Sequence, residues 1–397
     1  MTEHLERRID ELAESATRHA IDLRRALHRH PELGWQEVQT QATIREHLKS
    51  LGVEAHPIAT TGLVAEVGQG ERTVLYRADI DALPVEDGKT LGTSPVVSEV
   101  EGVCHACGHD LHTALSTALV DVFRQLGSDL PGKARFVYQP AEEVLPSGAE
   151  AVVEQGGADG VVACLGVHAD PMRQVGHVGL KAGPMTAAGD AFEIVVRGKG
   201  GHASRPYLAR NPIVAATRAV GALHSIVSQR VDPLEPAVVT VTRIHGGSAN
   251  NVIPGCVELG GTIRTFTTDT RRRLHAAIEE VAQAAGITQE CEVEVKIHLG
   301  APGLVNDVEL HALMERVASE ALGVECIENF ERPSVGSEDF SFFGTRAPTY
   351  MMRLGVRRPG HQAAHLHSPT FDPDESAITV GVRVMGRALL RLMAGQG

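Results

Sequence analysis

The sequence predicts an α/β protein of two domains, and three observations lead to this prediction. The chain has 397 residues, which is long for a single hydrophobic core. Patterns of buried strands alternate with helical patterns in its first half, as in an open α/β sheet. In the middle, elements in the order β-α-β-β-α-β interrupt this alternation and have the size of an inserted ferredoxin-like domain.

The first predicted domain begins with a helix and continues with alternating strands and helices. Apolar residues recur at helical spacing over residues 5 to 29, and Pro31 marks the end of this helix. The segment TVLYRA, residues 73–78, predicts a buried strand that runs directly into DIDALP. The next predicted elements are a helix at Ala114–Leu126, a strand at Ala134–Gln139, a helix at Ala149–Gln155 and a strand at Gly160–Val167. Such a sheet places its functional residues at the carboxyl ends of its strands.

The middle of the chain predicts a domain of a different kind. Its elements are a strand at Phe192–Arg197, a helix at Pro212–Ser228, strands at Val238–Ile244 and Val257–Arg264, a helix at Arg271–Ala285 and a strand at Cys291–His298. Helices at His311–Leu322 and Ala377–Leu392 then return to the α/β domain. We therefore expect a discontinuous domain of residues 1–185 and 299–397, interrupted by an inserted domain at residues 186–298.

The composition argues against several classes of protein and partner. Hydrophobic residues make up 43% and charged residues 22% of the chain, as in globular rather than disordered proteins. The formal net charge of -13 argues against a nucleic acid or an anionic membrane as partner, because either would need a basic surface. The charged N-terminus does not resemble a signal peptide, and no apolar run approaches the roughly 18 residues that span a membrane. The 6 cysteines are scattered, which favours reduced thiols and a cytoplasmic protein.

The segment CHACGHDLH, residues 104–112, concentrates cysteine, histidine and aspartate side chains. Haem attachment would need a histidine directly after the second cysteine, where Gly108 stands. A structural zinc site would need a second Cys or His pair at short range, and a thioredoxin-type redox pair would open a helix after the first strand of its fold. The crowded histidines favour a metal site with Cys107 and His109 as ligands, against a loop without special function.

Other polar motifs follow predicted strands or lie close to the last helix. DIDALP (79–84) and QPAEE (139–143) each supply two carboxylates, GVHADP (166–171) supplies His168, and LHSPTF (366–371) supplies His367. Taken singly, acidic pairs are usually solvated, and a lone histidine is usually a structural hydrogen-bonding residue. Together these motifs bring ligand-type residues to the carboxyl ends of successive strands, which predicts a catalytic metal site.

Seven motifs, in order over nearly the whole chain, resemble those of a family of dinuclear metallo-amidohydrolases: HACGHDLHTA, QPAEE, GVHADP, GKGGHAS, NNVIP, GSEDFSFF and LHSPTF. The family is the branch of the aminoacylase and carboxypeptidase superfamily of metallopeptidases that contains hippurate hydrolase, N-acyl-amino-acid amidohydrolases and auxin-conjugate hydrolases. The resemblance implies a zinc-peptidase-like three-layer catalytic domain, residues 1–185 and 299–397, with an inserted ferredoxin-like lid at residues 186–298 that forms a homodimer or higher homo-oligomer.

The resemblance also implies two divalent metal ions per subunit. Zinc, manganese, cobalt and nickel suit thiolate and imidazole ligands better than calcium or magnesium does. Cys107 is implied to bridge the two ions as a thiolate, and the other ligands are implied to be His109 and His168 for one ion and Glu143 and His367 for the other. On composition alone His361 and His365 compete with His367, and the LHSP match favours His367.

The same resemblance implies roles for residues around the ions. Glu142 would be the general base that activates a water bridging the metals and then hands the proton to the leaving amine. Asp81, ranked first, and Asp79 would orient ligating histidines. His202, on the lid, would stabilise the oxyanion and reach a neighbouring subunit's site.

Substrate contacts are implied on the lid and beside it. Asn251 and Arg264 would hold the substrate's carboxylate or amide oxygen, and the loop Gly336–Phe340 would line the specificity pocket. The chain departs from the family at Tyr207 and Asn211, where relatives usually carry His and Asp, so its substrate preference stays open.

The leading functional hypothesis is hydrolysis of the amide of an N-acyl or N-aroyl amino acid to a carboxylic acid and a free amino acid. A metallo-carboxypeptidase or dipeptidase acting on the same centre is the close alternative. The presence of Cys107, Glu142 and Glu143 argues against a noncatalytic relative that only binds metal or ligand. A redox protein that uses Cys104 and Cys107 is the third hypothesis. The expected partner is therefore a small N-acyl amino acid or a dipeptide.

Overall fold

The structure, a computed structural model, describes residues 2–396. The chain divides into two compact units. The larger unit comprises the chain up to Met185, Val305–Arg332 and the chain from Asp339 onwards, and the smaller unit comprises Thr186–Leu304 and Pro333–Glu338. No helix within residues 2–396 is both long enough and apolar enough to cross a membrane.

Within the described residues, the larger unit contains ten strands and six α-helices, and all elements are numbered along the chain. Its strands are β1 (Ala55–Ile58), β2 (Gly62–Gly68), β3 (Thr73–Asp79), β4 (Lys133–Gln139), β5 (Val161–Gln174), β6 (Val178–Leu180), β7 (Gly183–Pro184), β14 (Val305–Asn306), β15 (Ile327–Asn329) and β16 (Thr349–Arg357). Its helices are α1 (Thr2–Arg29), α2 (Val38–Ser50), α3 (His109–Leu126), α4 (Gly148–Glu154), α7 (Val308–Leu322) and α8 (Ala377–Met393).

Eight of these strands form one mixed sheet in the order β1-β2-β4-β3-β5-β16-β6-β15. The four central strands, β4, β3, β5 and β16, run parallel to one another. All seven residues of β3 are buried, which agrees with the continuous apolar run that predicted it. Because parallel strands end at the same edge, the residues that follow them converge there.

Helices α1, α3 and α8 pack against one another, and α3 and α8 also contact the sheet. The apolar residues that predicted α1, among them Leu5, Ile9 and Leu27, are buried in the core of the larger unit. Removing such a side chain from water stabilises the fold by about 1.5–3 kcal/mol. The predicted helical spacing of α1 is therefore confirmed.

The smaller unit has its own hydrophobic core and the predicted β-α-β-β-α-β order. It consists of β8 (Ala188–Arg197), β9 (Gly201–His202), α5 (Pro212–Arg230), β10 (Ala237–His245), β11 (Val252–Ile253), β12 (Cys256–Thr265), α6 (Thr268–Ile287) and β13 (Glu292–His298). Four strands form an antiparallel sheet in the order β10-β12-β8-β13, and β9 pairs with β11 in a separate ribbon. Alternate residues of β8 are buried, so one face of this sheet covers a core that α5 and α6 complete.

The structure differs from the prediction at several boundaries. Helix α3 begins at His109 rather than Ala114, because its polar first turn is buried against distant partners that periodicity does not reveal. Strand β5 continues past Val167 to Gln174 and so includes His168. Helix α2 and strand β16 were not predicted; α2 buries only three residues and shows little amphipathic pattern.

Candidate metal centre

The central strands deliver polar side chains to one edge of the sheet. Strand β3 ends at Asp79 and is followed by Asp81, while β4 ends at Gln139 and is followed by Glu142 and Glu143. In the register of β3 with β5, Arg77 lies opposite Gly166, and Asp79 and His168 each follow two residues later. The topology therefore brings these side chains to the carboxyl end of the parallel strands.

Helix α3 supplies its ligand-type residues from its N-terminus. Gly108 precedes the helix with φ of 89°, a conformation that favours glycine. A Cβ atom at Gly108 would lie 3.3 Å from both Ala169 Cβ and Phe371 Cε1, so a larger residue would also be crowded. Gly108 thus allows Cys107 and His109 to flank a sharp turn at the sheet edge.

The loop that carries Glu142 and Glu143 is held tightly between β4 and α4. Ala141 has a φ of 50°, which is uncommon outside glycine, and its N–H donates to Glu37 Oε1 at 2.8 Å. The Glu143 N–H donates to Asp81 Oδ2 at 3.1 Å. The loop closes where the Gly148 N–H donates to the Ala141 carbonyl at 3.1 Å. These contacts hold both glutamates against the ends of β3 and β4.

His367 is positioned by a backbone contact to the cysteine motif. Its φ of 62° is also unusual for a residue with a side chain. Its N–H donates to the carbonyl of Ala106 at 2.8 Å, next to Cys107. Hence the loop before α8 is tied to the segment before α3.

The five predicted ligand residues come together in overlapping groups. The ligand atoms of Cys107, His109 and His168 lie within 4.8 Å of one another, and so do those of Cys107, Glu143 and His367. Cys107 Sγ lies 3.7 Å from His168 Nε2, and Glu143 Oε1 lies 3.1 Å from His367 Nε2 and 4.0 Å from His109 Nε2. The thiol of Cys107 is shared by both groups, as a bridging ligand would be.

Hydrogen bonds leave the Nε2 atoms of two histidines facing this centre. His168 Nδ1 lies 2.9 Å from the Ala169 carbonyl, which can only accept, so Nδ1 carries the proton. His109 Nδ1 lies 3.0 Å from the Asp81 carbonyl and 3.1 Å from Asp81 Oδ1, and the same reasoning applies. This pattern of a histidine held through its other nitrogen is typical of metal ligands.

The residues fit a pair of metal ions. His109 Nε2 is buried without a well-aligned hydrogen bond within residues 2–396, which is costly unless another group satisfies it, and buried Glu143 Oε1 lies 3.1 Å from His367 Nε2. Burial raises the pKa of Cys107 to about 12, so its thiolate form needs a nearby cation. Although burial opposes charge on His109, Asp79 and Cys107 hold its pKa well above its ordinary value. Each of these features calls for positive charge at this position.

Asp79, His109 and His112 form another close group, but His112 is not free to ligate. Its Nε2 accepts from the Ala169 N–H at 2.9 Å, and its Nδ1 therefore carries the proton toward Asp79 Oδ1 at 2.6 Å. His112 instead joins the end of β3 to β5. The sequence motif contained this residue without revealing its role, because both partners are distant in the chain.

The alternatives left open by the sequence differ in their geometry. His361 and His365 are exposed and belong to no group of close ligand atoms within residues 2–396, whereas His367 does. Burial raises the pKa of Cys104 to about 11, which makes it a poor redox nucleophile. Cys104 and Cys107 are both free thiols, so they form no disulfide.

The remaining predicted residues belong to the smaller unit. The β9–β11 ribbon places His202 beside Asn251: the Asn251 carbonyl accepts from the Ala203 N–H at 3.0 Å, and His202 Nδ1 lies 2.8 Å from Ser204 Oγ. Both His202 and Asn251 are exposed.

Arg264 and Gly336 lie elsewhere in the same unit. Arg264 is half-buried on β12, and its guanidinium donates to the Ile263 carbonyl at 3.2 Å. Gly336 is exposed, and its carbonyl accepts from the Ala187 N–H at 3.0 Å. The roles of these residues toward substrate stay predictions.

Comparison with known proteins relates the chain to a family of hydrolases. The model of peptidase family M20/M25/M40 matches residues 75–391. The chain is 38% identical over 365 residues to the N-acetylcysteine deacetylase of Bacillus subtilis, covering 91% of this chain and 93% of that protein. It is 35% identical over 370 residues to IAA-amino acid hydrolase ILR1-like 2 of Arabidopsis thaliana, covering 92% and 83%. Among solved structures, the Bacillus subtilis YXEP protein, described as a dinuclear metal binding peptidase from the M20 family, superimposes with a TM-score of 0.81 at 33% identity over 96% of this chain and 99% of that one.

Proposed function

The chain belongs to peptidase family M20/M25/M40, and we propose that it hydrolyses the amide bond of N-acyl or N-aroyl amino acids, releasing a carboxylic acid and a free amino acid. It is a metal-dependent amidohydrolase. The observation that carries the proposal is a thiol shared by two ligand groups, with a second glutamate, Glu142, beside them. The relatives named above act, by their names, on an N-acetyl amino acid and on amino acid conjugates.

Two divalent metal ions are the cofactors. We assign one ion to Cys107, His109 and His168 and the other to Cys107, Glu143 and His367. When bound, such a pair lowers the pKa of a water molecule and polarises the scissile carbonyl. Zinc, manganese, cobalt and nickel all suit this donor set.

Glu142 is the general base in this proposal. Its carboxylate lies within 4.8 Å of the ligand atoms of His109 and Glu143, and its side chain is half-buried. It removes a proton from water as the water oxygen bonds to the carbonyl carbon. It then delivers that proton to the amine nitrogen as the C–N bond breaks, which balances the hydrolysis.

Arg264 is assigned to the carboxylate of the amino acid product. Its guanidinium donates to the Ile263 carbonyl at 3.2 Å, and no carboxylate partner for it is seen within residues 2–396. A guanidinium can hold a carboxylate through two parallel hydrogen bonds. His202 and Asn251 are assigned to the oxyanion and the amide oxygen, and their exposure leaves them accessible to a ligand.

The smaller unit is proposed as the lid and the dimer contact. Strand β10 is an edge strand of its sheet, and it exposes Val238 and Ile244. An exposed edge with unpaired backbone groups favours pairing with a second copy of the same strand. A reducing compartment such as the cytoplasm suits the free thiols of all cysteines.

A substrate panel tests the reaction. N-acetyl, N-benzoyl and indole-acyl amino acids are incubated beside dipeptides, with manganese or zinc supplied, and free amino acid is measured. We expect cleavage of the acyl amino acids and loss of turnover in Glu142→Gln, with metal content near that of wild type. Cleavage restricted to dipeptides would favour the peptidase alternative, and full turnover by Glu142→Gln would refute the assignment of the base.

A further inference from the structure

Arg77 joins several segments beneath the metal centre. Its side chain is buried on β3, and all three of its guanidinium nitrogens donate to other side chains. Nη1 donates to Asp79 Oδ2 at 2.6 Å, Nε to Gln139 Oε1 at 2.7 Å and Nη2 to Asp339 Oδ1 at 2.8 Å. Arg77 thus connects the last residues of β3 and β4 with Asp339, the residue at which the larger unit resumes.

Asp339 extends this network to the loop that carries the glutamates. Its carboxylate accepts from Gln139 Nε2 at 2.9 Å, from Ser147 Oγ at 2.7 Å and from the Ala149 N–H at 3.2 Å. Ser147 and Ala149 begin α4, at the end of the loop that starts with Ala141. One buried carboxylate therefore anchors the far end of the Glu142–Glu143 loop.

Both ends of this network reach the proposed site. At one end, Asp79 contacts His112 and lies 3.5 Å from His109 Nε2. At the other end, carboxylate oxygens of Asp339 and Glu142 lie within 4.8 Å of each other. Arg77 lies between Asp79 and Asp339 and offsets the charge of both, since two carboxylates buried without a cation would be strongly unfavourable.

We propose that Arg77 and Asp339 are positioning residues: together they hold the histidine-bearing and glutamate-bearing segments at the separation that metal binding and proton transfer require. The motif GSEDF was expected to line the specificity pocket, and this proposal gives its aspartate a different role. The expected effect on proton transfer rests on the proposed function, and the expected effect on metal binding rests on the assigned metal ligands.

The test uses Arg77→Met, Arg77→Lys, Asp339→Asn and the Arg77→Met/Asp339→Asn double variant in the full chain. Residues that support metal ligands typically contribute 10–100-fold to metal affinity or activity. We expect each of the two charge-removing single variants to lower kcat by roughly that factor with KM little changed, and to weaken Mn²⁺ binding to the chelator-stripped protein, measured by calorimetry, by a similar factor. Arg77→Lys keeps the charge and should recover part of both losses.

The double variant tests whether the two residues act through each other. If they do, it should lose no more than Arg77→Met alone, whereas independent effects would multiply. Wild-type kcat and Mn²⁺ affinity in both single variants, or multiplied losses in the double variant, would overturn the proposal. If Arg77→Met does not fold, the isosteric Asp339→Asn and Arg77→Lys carry the test.

Glu6→Gln is the matched control. Glu6 and Arg391 form another largely buried pair, with Arg391 Nε 2.7 Å from Glu6 Oε1, between α1 and α8. Within residues 2–396 their side-chain hydrogen bonds join Glu6 and Arg391 to each other and Arg391 to Glu320, away from the strand ends, so Glu6→Gln should reduce stability without changing kcat or Mn²⁺ affinity. Since Mn²⁺ affinity is independent of the substrate, a failed substrate panel would still leave the metal part of the proposal tested.

Discussion

Gly148→Ala should disable the site by displacing the loop that carries Glu142 and Glu143. A Cβ atom at Gly148 would lie only 1.7 Å from the Pro140 carbonyl oxygen, and backbone, not a flexible side chain, occupies the space. Contacts below 3.0 Å essentially never occur for real Cβ atoms. Either Pro140 or the start of α4 must therefore move by more than an ångström.

The structure sets the expected size of the effect. Forcing an extra carbon into a packed site costs about 1–3 kcal/mol of stability. A displacement of about 1 Å in a catalytic group lowers activity about 10²-fold. We therefore expect kcat/KM to fall about 10²-fold. The variant should still be folded under the assay conditions, so the loss of stability alone would not explain this fall in activity.

The assay combines steady-state kinetics on the best substrate of the panel with urea unfolding. Gly221→Ala is the matched control, because Gly221 lies inside α5, and its added Cβ meets nothing within 4 Å. Alanine is preferred to glycine in a helix by about 0.5–1 kcal/mol, so this variant should be slightly more stable and fully active. Wild-type kinetics for Gly148→Ala would refute the reasoning that the loop geometry controls the reaction.

Three further predictions concern the metal, the substrate and pH. Chelation should abolish activity and added manganese or zinc should restore it; an amidase indifferent to chelators would contradict the mechanism. Arg264→Lys should raise KM by about 10-fold with kcat retained, through loss of a bidentate contact, and the effect should vanish on substrates with an amidated carboxylate. Despite its burial, Asp190 has a pKa below its ordinary value because Arg271, the Gly300 N–H and His275 bond to its carboxylate. The ionised Asp190 carboxylate therefore stabilises the fold fully above its ordinary pKa of about 3.9, and this stabilisation is lost as the pH falls through the lower pKa of the folded state. The unfolding free energies of wild type and Asp190→Asn should accordingly differ at pH 7 and converge in acid.

Much of the architecture could be predicted because it depends on local patterns. The spacing of Leu5, Ile9 and Leu27 marks the buried face of α1, and the run at Thr73–Asp79 marks a strand buried on both faces. The motifs with ligand-type residues could be placed at one edge because parallel strands share their carboxyl end. This topology accounts for Glu143 and His168, whereas Cys107 and His109 join them from the start of α3, and His367 through its bond to the Ala106 carbonyl.

Apart from Asp79 and Asp81, which the family resemblance implied, the support of the site could not be predicted because it depends on pairs far apart in sequence. Arg24 donates to Asp110 across 86 residues, and Arg77 donates to Asp339 across 262 residues. A buried charge looks like an exposed one in a sequence until its partner is known. For the same reason the polar first turn of α3 concealed the true start of that helix.

Two residues that break local conformational rules lie at the candidate centre. Of the six non-glycine residues with positive φ in residues 2–396, Ala141 precedes the proposed base and His367 is a proposed ligand. Each such residue costs about 1–3 kcal/mol and persists only where its surroundings enforce the conformation. Glu37 enforces the first through its bond to the Ala141 N–H, and the Ala106 carbonyl enforces the second. Glu37 is buried, which raises its pKa, and its carboxylate accepts from the Thr61 hydroxyl at 2.6 Å as well as from the Ala141 N–H. The buried Glu37 carboxylate therefore offsets the strain at Ala141 and holds the glutamate loop in a conformation that an unconstrained chain would leave.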